Sequence, residues 1–260
     1  MREKLLVVPV YIIAASFLIP IIILFYLSGI RGIIGAFADK GFIYSLLLTL
    51  LGAGAATIVN IVLGTPAAYS LARRLVKWES SLYDVLLSPI SIPHTVVGIM
   101  LLITFSPISP IYFLTKFMNP VNTFFGLVLA MFFVSAPIYI MSMKEYFEKT
   151  DETQEMFVMS LGNDRLKTFY KVVFPTSLGS IIRVSMISLG RALSEFGSLV
   201  ILTYTVTLAP FFTFVSPATV YIWYSYETYG LIPALRYSSA MLLVSMVLTL
   251  IVYLTSRRAE

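Results

Sequence analysis

Polar positions in this chain collect between six apolar runs, each close to the roughly 20 residues that a helix needs to cross a bilayer. The runs cover residues 5–27, 42–72, 84–105, 121–143, 176–204 and 231–254. They are continuous and show no alternation with a period of two, which argues against a membrane β-barrel. The pattern predicts an all-α, polytopic membrane protein with six transmembrane helices in a single domain, residues 1–260. Pro89 and Pro93 interrupt the third run. Residues 106–120 carry Pro107, Pro110 and Pro120. Residues 205–230 carry Pro210 and Pro217 among Tyr221, Trp223, Tyr224, Tyr226 and Tyr229. The second of these segments is too apolar for a free loop and too broken for a span. It reads as a re-entrant or interfacial segment within an aromatic belt. The alternative, a seventh span, would move Arg257 and Arg258 to the other side of the membrane.

Residues 151–175 form the only long polar stretch, DETQEMFVMSLGNDRLKTFYKVVFP. Two short helices with a glycine hinge are predicted. Asp151 caps the first, with Gln154 closing a capping box, and Gly162 ends it. Asn163 or Asp164 caps the second, and Pro175 stops it. Leu166, Phe169, Tyr170 and Val173 fall at i, i+3, i+4 and i+7, an apolar stripe expected to pack beneath the spans. Arg165, Lys167 and Lys171 lie off that stripe, so the hairpin is amphipathic and basic.

Composition agrees with a membrane protein: 58% of the 260 residues are hydrophobic and 12% charged, against about 25% charged in a soluble domain. Mean hydropathy is +0.91. The net charge of +5 does not mark a nucleic-acid surface, because the basic residues sit at span boundaries. Arg2, Lys4, Arg73, Arg74, Lys77, Lys144, Lys149, Arg165, Lys167, Lys171, Arg257 and Arg258 fall on one side of the predicted topology, and Arg31, Lys40, Lys116 and Arg236 on the other. Twelve against four places both termini and the 151–175 hairpin in the cytoplasm by the positive-inside rule. The first apolar run has no small-residue cleavage signature and reads as a retained span.

Candidate chemistry is sparse. With no Cys and one His, a thiolate or multi-histidine metal site is excluded. No phosphate-binding glycine loop and no nucleophile–base set is present, so no enzyme is predicted. Ionisable residues inside spans are the candidates that remain. Arg191 and Glu195 share one helix face in GRALSEFG, with Ser194, Phe196 and Gly197 beside them. They read either as a gating element on an anion path or as an internal ion pair that pins the fifth span. Arg183 reads as a side chain that snorkels toward the membrane surface. His94, after Pro93, stands where a helix loses its hydrogen-bond ladder, and is expected to satisfy freed carbonyls or to shuttle protons. Gly64 and Pro66, after Asn60, mark a kink or a packing contact.

The 151–175 hairpin resembles the EAA loop of ABC importer permeases, whose pattern is Glu-Ala-Ala, three residues, Gly, nine residues, then Ile-x-Leu-Pro. Gly162 lies thirteen residues before Pro175, the family's spacing, and Val172-Val173-Phe174-Pro175 stands for the terminal motif. Glu155 lies seven residues before Gly162 where the pattern has six, so Met156 falls at the Glu position and Phe157-Val158 at the alanines. The segments Ile92 to Gly98, Gly64 to Tyr69, Phe133 to Ile140 and Ser194 to Gly197 are similar to the permeases of archaeal molybdate/tungstate importers. Sulfate permeases share several of them.

The resemblance implies a type I, molybdate/maltose-transporter-like fold in the cell membrane. It implies a homodimer, two cytoplasmic ABC ATPase subunits that hold ATP and Mg, and an external oxyanion-binding protein. This chain would be a non-catalytic subunit with no cofactor of its own. Glu152, Glu155, Met156, Phe157, Met159, Gly162, Asn163 and Arg165 would couple to the ATPase. Arg191, Ser194, Glu195, Phe196, Gly197 and His94 would form the translocation path or gate. The alternatives are a permease for sulfate or another anion, a secondary transporter driven by an ion gradient, and a membrane anchor whose basic hairpin recruits partners or lipid.

Overall fold

The structure is a computed structural model that describes the backbone of residues 2–257 and the side chains of residues 7–251 and 254. Among these residues, four helices are long and apolar enough to cross a membrane, and six spans result if each of two bent pairs counts as one. The first is α1 (Arg2–Ala38), broken at Gly29, where φ is +61°. It extends well past the expected end at residue 27. No residue of its membrane-length window is fully buried, as suits an apolar helix at the edge of the bundle.

The second span joins α2 (Lys40–Val59), a π-helical turn (Asn60–Gly64) and α3 (Thr65–Ala72). Asp39 starts it by accepting the amide of Phe42 at 3.2 Å. Asp39 also accepts from the hydroxyls of Tyr237 at 2.6 Å and Tyr221 at 3.4 Å. Burial disfavours its charge, but these bonds prevail and hold the carboxyl below its ordinary pKa. The π turn lies where a kink was expected. Pro66 has no N–H to give, so the ladder is already interrupted there. Asn60, fully buried, donates from Nδ2 to Ser135 Oγ at 2.9 Å and Ser188 Oγ at 2.8 Å. Such interhelical bonds average about 0.6 kcal/mol each inside a membrane.

The third run does not form a straight span. α4 (Glu79–Leu87), a 3₁₀ turn and α5 (His94–Thr104) are bent by 109°. Prolines 89 and 93 break the ladder, and Pro93 becomes the residue that precedes α5. α4 lies instead against the end of α6 (Phe124–Lys149), where Lys144 Nζ sits 3.4 Å from Glu79 and 4.6 Å from the Tyr83 ring.

The hairpin consists of α7 (Thr153–Ser160) and α8 (Arg165–Thr168), followed by a second π turn (Phe169–Val173) and α9 (Phe174–Thr176). Gly162 adopts φ +87° and closes the first helix, as its position predicts. Three expectations need correction. Asp151 accepts from the amide and hydroxyl of Thr153, at 3.0 and 2.7 Å, and makes no capping box with Gln154. Of the two residues expected to cap the second helix, Asp164 does so, accepting the amide of Lys167 at 2.6 Å, while Asn163 donates back to the Val158 carbonyl. Pro175 does not stop the helix. It sits in the first turn of α9, where its missing N–H is harmless, and the chain bends by 75° into α10 (Leu178–Leu193). The apolar stripe is split as well: Phe169 and Val173 are buried, whereas Leu166 and Tyr170 are exposed. The π turn takes more residues per turn than an α-helix, so the i, i+4 positions on either side of it lose their common face.

After α10, the chain turns through α11 (Leu199–Leu202) into an antiparallel pair, β1 (Val206–Leu208) and β2 (Phe212–Val215). These short strands are the departure from an all-α chain. α12 (Ala218–Tyr229) then leads into α13 (Leu231–Arg257). Residues 205–230 therefore form a strand pair and a helix of twelve residues whose first turn is buried, too short for a seventh span. α10 packs on α6 and α2, and α13 packs on α1 and α12. Three apolar clusters result among the described residues, a small one around Ala36, Phe42 and Ala240 and two larger ones. One lies around Leu127, Met131, Leu193 and Leu199, and the other around Tyr69, Tyr139, Phe147 and Phe169 at the hairpin end.

Candidate functional site

Two constellations stand out, one at each end of α10. At the hairpin end, Glu155 is 4% exposed and points inward from α7. It meets Arg73, the residue that ends α3, through Nη2 at 2.7 Å and Nε at 3.2 Å, and it accepts the Tyr69 hydroxyl at 2.7 Å. Arg73 also donates to the carbonyls of Phe147 at 2.6 Å and Thr150 at 3.3 Å, and Glu152 lies 3.5 Å from it. Four of the five guanidinium N–H groups are thereby hydrogen-bonded, and Glu152 adds its charge. Burial alone would lower the Arg73 pKa, but the Glu155 carboxylate raises it above its ordinary value. One side chain thus fastens the hairpin to the ends of the second span and of α6.

The other hairpin residues face differently. Met156 and Phe157 are exposed, as is Leu161, although all three are apolar. Met159, Asn163 and Arg165 are half-buried, and Gly162 is exposed. Two faces result: a carboxylate turned into the protein and an apolar surface turned away. The sequence does not mark Tyr69 or Arg73 as partners of the hairpin. Arg73 reads there as one more boundary cation, and nothing local links it to a carboxylate 82 positions away.

At the other end of α10, Arg191 Nη2 lies 2.6 Å from His94 Nε2 and 3.5 Å from Glu195 Oε2, and Nη1 donates to Ser194 Oγ at 3.1 Å. A guanidinium only donates, so the ring accepts from Arg191 Nη2, which also lies 3.2 Å from His94 Nδ1. His94 Nδ1 sits 3.4 Å from Glu195 Oε2. Glu195 is 1% exposed, and its other oxygen accepts the amide and the hydroxyl of Ser198, both at 2.8 Å. Glu195 thus bridges the turn after α10 to Arg191 and His94. His94 does not serve freed carbonyls, because α5 starts at it and its ring reaches across to α10.

Glycines permit this contact. A Cβ on Gly197 would lie 2.7 Å from His94 Cβ, and one on Gly98 would lie 2.9 Å from the Ser198 backbone. Gly197→Ala is expected to push α5 off the turn and cost about 1–3 kcal/mol, the usual scale for overpacking. A lowered unfolding midpoint in detergent would show it, and an unchanged midpoint would refute it. Phe196, half-buried, pairs with Trp223 at 5.9 Å between ring centroids.

Arg183, Ile187, Gly190 and Ser194 fall at i, i+4, i+7 and i+11 along the exposed edge of α10. A cavity of about 810 Å³ is lined by Arg183, Gly190 and Ser194, and by Ser238, Ser245 and Thr249 from α13. The three α13 residues repeat the same i, i+7, i+11 spacing, a pattern that the many other hydroxyls of the chain obscure. Among the described residues, no group of acidic or histidine side chains could hold a metal ion.

Residues 60–260 match the model of the binding-protein-dependent transport system inner membrane component. The chain belongs to that family. It is 35% identical over 204 residues to the molybdate/tungstate transport system permease protein of Pyrococcus abyssi, covering 75% of this chain and 77% of the relative. It is 28% identical over 250 residues to the protein of the same description from Methanocaldococcus jannaschii, covering 95% and 94%. The sulfate transport system permease protein of Synechocystis is 26% identical over 212 residues, covering 80% and 71%. Among solved structures, a bacterial ABC transporter involved in the import of alginate superposes with a TM-score of 0.69 at 17% identity, covering 99% of this chain and 96% of that one. This last likeness concerns the fold. The chain is an ABC transporter permease, a membrane protein with transmembrane helices.

Proposed function

We propose that this chain is the transmembrane subunit of an ATP-driven importer that passes a tetrahedral oxyanion, molybdate or tungstate, into the cytoplasm. Its relatedness to molybdate/tungstate permeases along nearly its whole length carries the reading. Two copies would enclose the path. Both termini and the hairpin lie in the cytoplasm, the side that the distribution of Lys and Arg favours. Two ATPase subunits dock there and supply ATP hydrolysis, and an external binding protein delivers the anion to the aromatic outer segments.

The geometry gives each part a physical task. Met156, Phe157 and Leu161 are an apolar face that water would not favour and that a groove on the ATPase can cover. The Arg73–Glu155 pair then carries movement of α7 into the second span and α6. At the other end, Arg191 attracts a dianion, but Glu195 offsets its charge. A strong site would retain the anion, whereas a compensated one lets it pass. Rocking of the two copies, biased by partners bound at either face, opens the path to each side in turn.

Proteoliposomes holding this chain, its ATPase and its binding protein provide the test. Uptake of molybdate or tungstate that needs ATP on the ATPase side, and exceeds uptake of sulfate, is expected. Uptake driven by a proton or sodium gradient without ATP would overturn the reading. Sulfate transport outpacing both metal oxyanions would favour the second reading, which rests on the sulfate permease relatives. Phe157→Glu places a charge on the apolar face and is expected to abolish co-purification of the ATPase while the chain stays monodisperse. Retention of the ATPase would remove α7 as the docking element.

A further inference from the structure

We infer that α12 is the strut through which a protein docked on the outer face sets the Arg191–Glu195–His94 turn, with Thr219 as its positioning residue. The inference rests on the importer reading above, which supplies the docked protein. α12 has two unlike ends. Its later turns expose Trp223, Tyr224, Tyr226 and Tyr229, aromatic groups of the kind that anchor protein interfaces. Its first turn is inserted among the spans, with Ala218 and Val220 fully buried. There the Ala218 amide donates to Thr49 Oγ1 of α2 at 2.7 Å, and Thr219 Oγ1 donates to the Glu195 carbonyl at 2.7 Å. One turn further on, Trp223 stacks beside Phe196. Residues 219 and 223 lie on one helix face and grip the same turn, at residues 195 and 196.

The grip falls where a small displacement matters. The Glu195 carbonyl is joined through one residue's backbone to the carboxylate that holds Arg191 at 3.5 Å and His94 at 3.4 Å. Both separations are at the outer limit of hydrogen-bond reach, so a shift of a few tenths of an ångström decides whether they persist. Space for the motion exists: a cavity of about 430 Å³ between Phe196, Thr219, Ile222, Trp223, Tyr226 and Leu235 lets α12 tilt. A helix of twelve residues spans about 18 Å, enough to link the outer face to the turn as one rigid piece.

The test uses the complete transporter in nanodiscs, with the oxyanion-loaded binding protein as the probe. Thr219→Val keeps the shape and removes the hydroxyl. Binding-protein affinity and basal ATPase activity are expected to stay at the wild-type level, while stimulation of the ATPase by the loaded binding protein falls about five-fold, the factor for one lost hydrogen bond. Thr219→Ser is expected to restore it, and Thr219→Ala to repeat the loss. Full stimulation in both Thr219→Val and Thr219→Ala would overturn the inference alone. So would loss of binding-protein affinity in these variants, because Thr219 would then support the docking face and not transmission. A wild-type complex that ignores the loaded binding protein would overturn the importer reading and this inference together.

Discussion

Glu155→Ala is expected to destabilise the permease by about 3–5 kcal/mol, the scale for breaking a buried ion pair from one side. The Arg73 side chain is 2% exposed, so its charge has no water to turn to. After the substitution it keeps the carbonyls of Phe147 and Thr150 and the more distant Glu152, and the Tyr69 hydroxyl loses its acceptor. Glu155→Gln should cost less, because the amide oxygen still accepts from Tyr69 or Arg73. The unfolding midpoint of the detergent-solubilised protein would register both, and an unchanged midpoint in Glu155→Ala would sink the claim. The double variant Arg73→Met, Glu155→Leu separates stability from coupling. Apolar replacement of a buried pair is often neutral or stabilising, so the midpoint should return. Transport should not, because an apolar contact lacks the directed bonds from one guanidinium to α6 and α7 together. Recovery of transport in the double variant would show that the pair serves stability alone.

The spans were legible because a bilayer demands long apolar helices, and residues 42–72, 121–143 and 231–254 left no other choice. The bends were legible only as breaks. Pro89, Pro93 and Pro175 say that a hydrogen-bond ladder is interrupted, but the angle depends on what each side packs against. Hence the third run became a helix along the hairpin end followed by a second one, and Pro175 sits inside a helical turn. Long-range polar partners were not legible at all. Asn60, Arg73 and Thr219 each find their partner on a different element, and no local spacing encodes that. The register of Glu155 gains a physical meaning from the structure. Glu155 faces inward to Arg73, while Met156, the next residue, faces outward.

Arg191→Met is expected to lower oxyanion uptake by at least about ten-fold, the factor for one charge-assisted bond of about 1.5 kcal/mol. Two causes would give that loss. In the first, Arg191 serves the anion. In the second it serves only Glu195, which is 1% exposed and would be left with its charge answered by Ser198 and His94 alone. The double variant Arg191→Met, Glu195→Gln decides between them. The amide introduced at position 195 would still accept from the amide and hydroxyl of Ser198, and being neutral it no longer needs a cation. If Arg191 only pins the turn, uptake in the double variant returns toward wild type. If Arg191 meets the anion, assembly and thermal stability return and uptake does not. The second outcome is expected, because Arg191 keeps a part-exposed side chain and donates to Ser194, which is exposed and lines the cavity beside α10. Arg191→Lys falls between, since it keeps the charge but cannot reach His94, Glu195 and Ser194 with one planar fork.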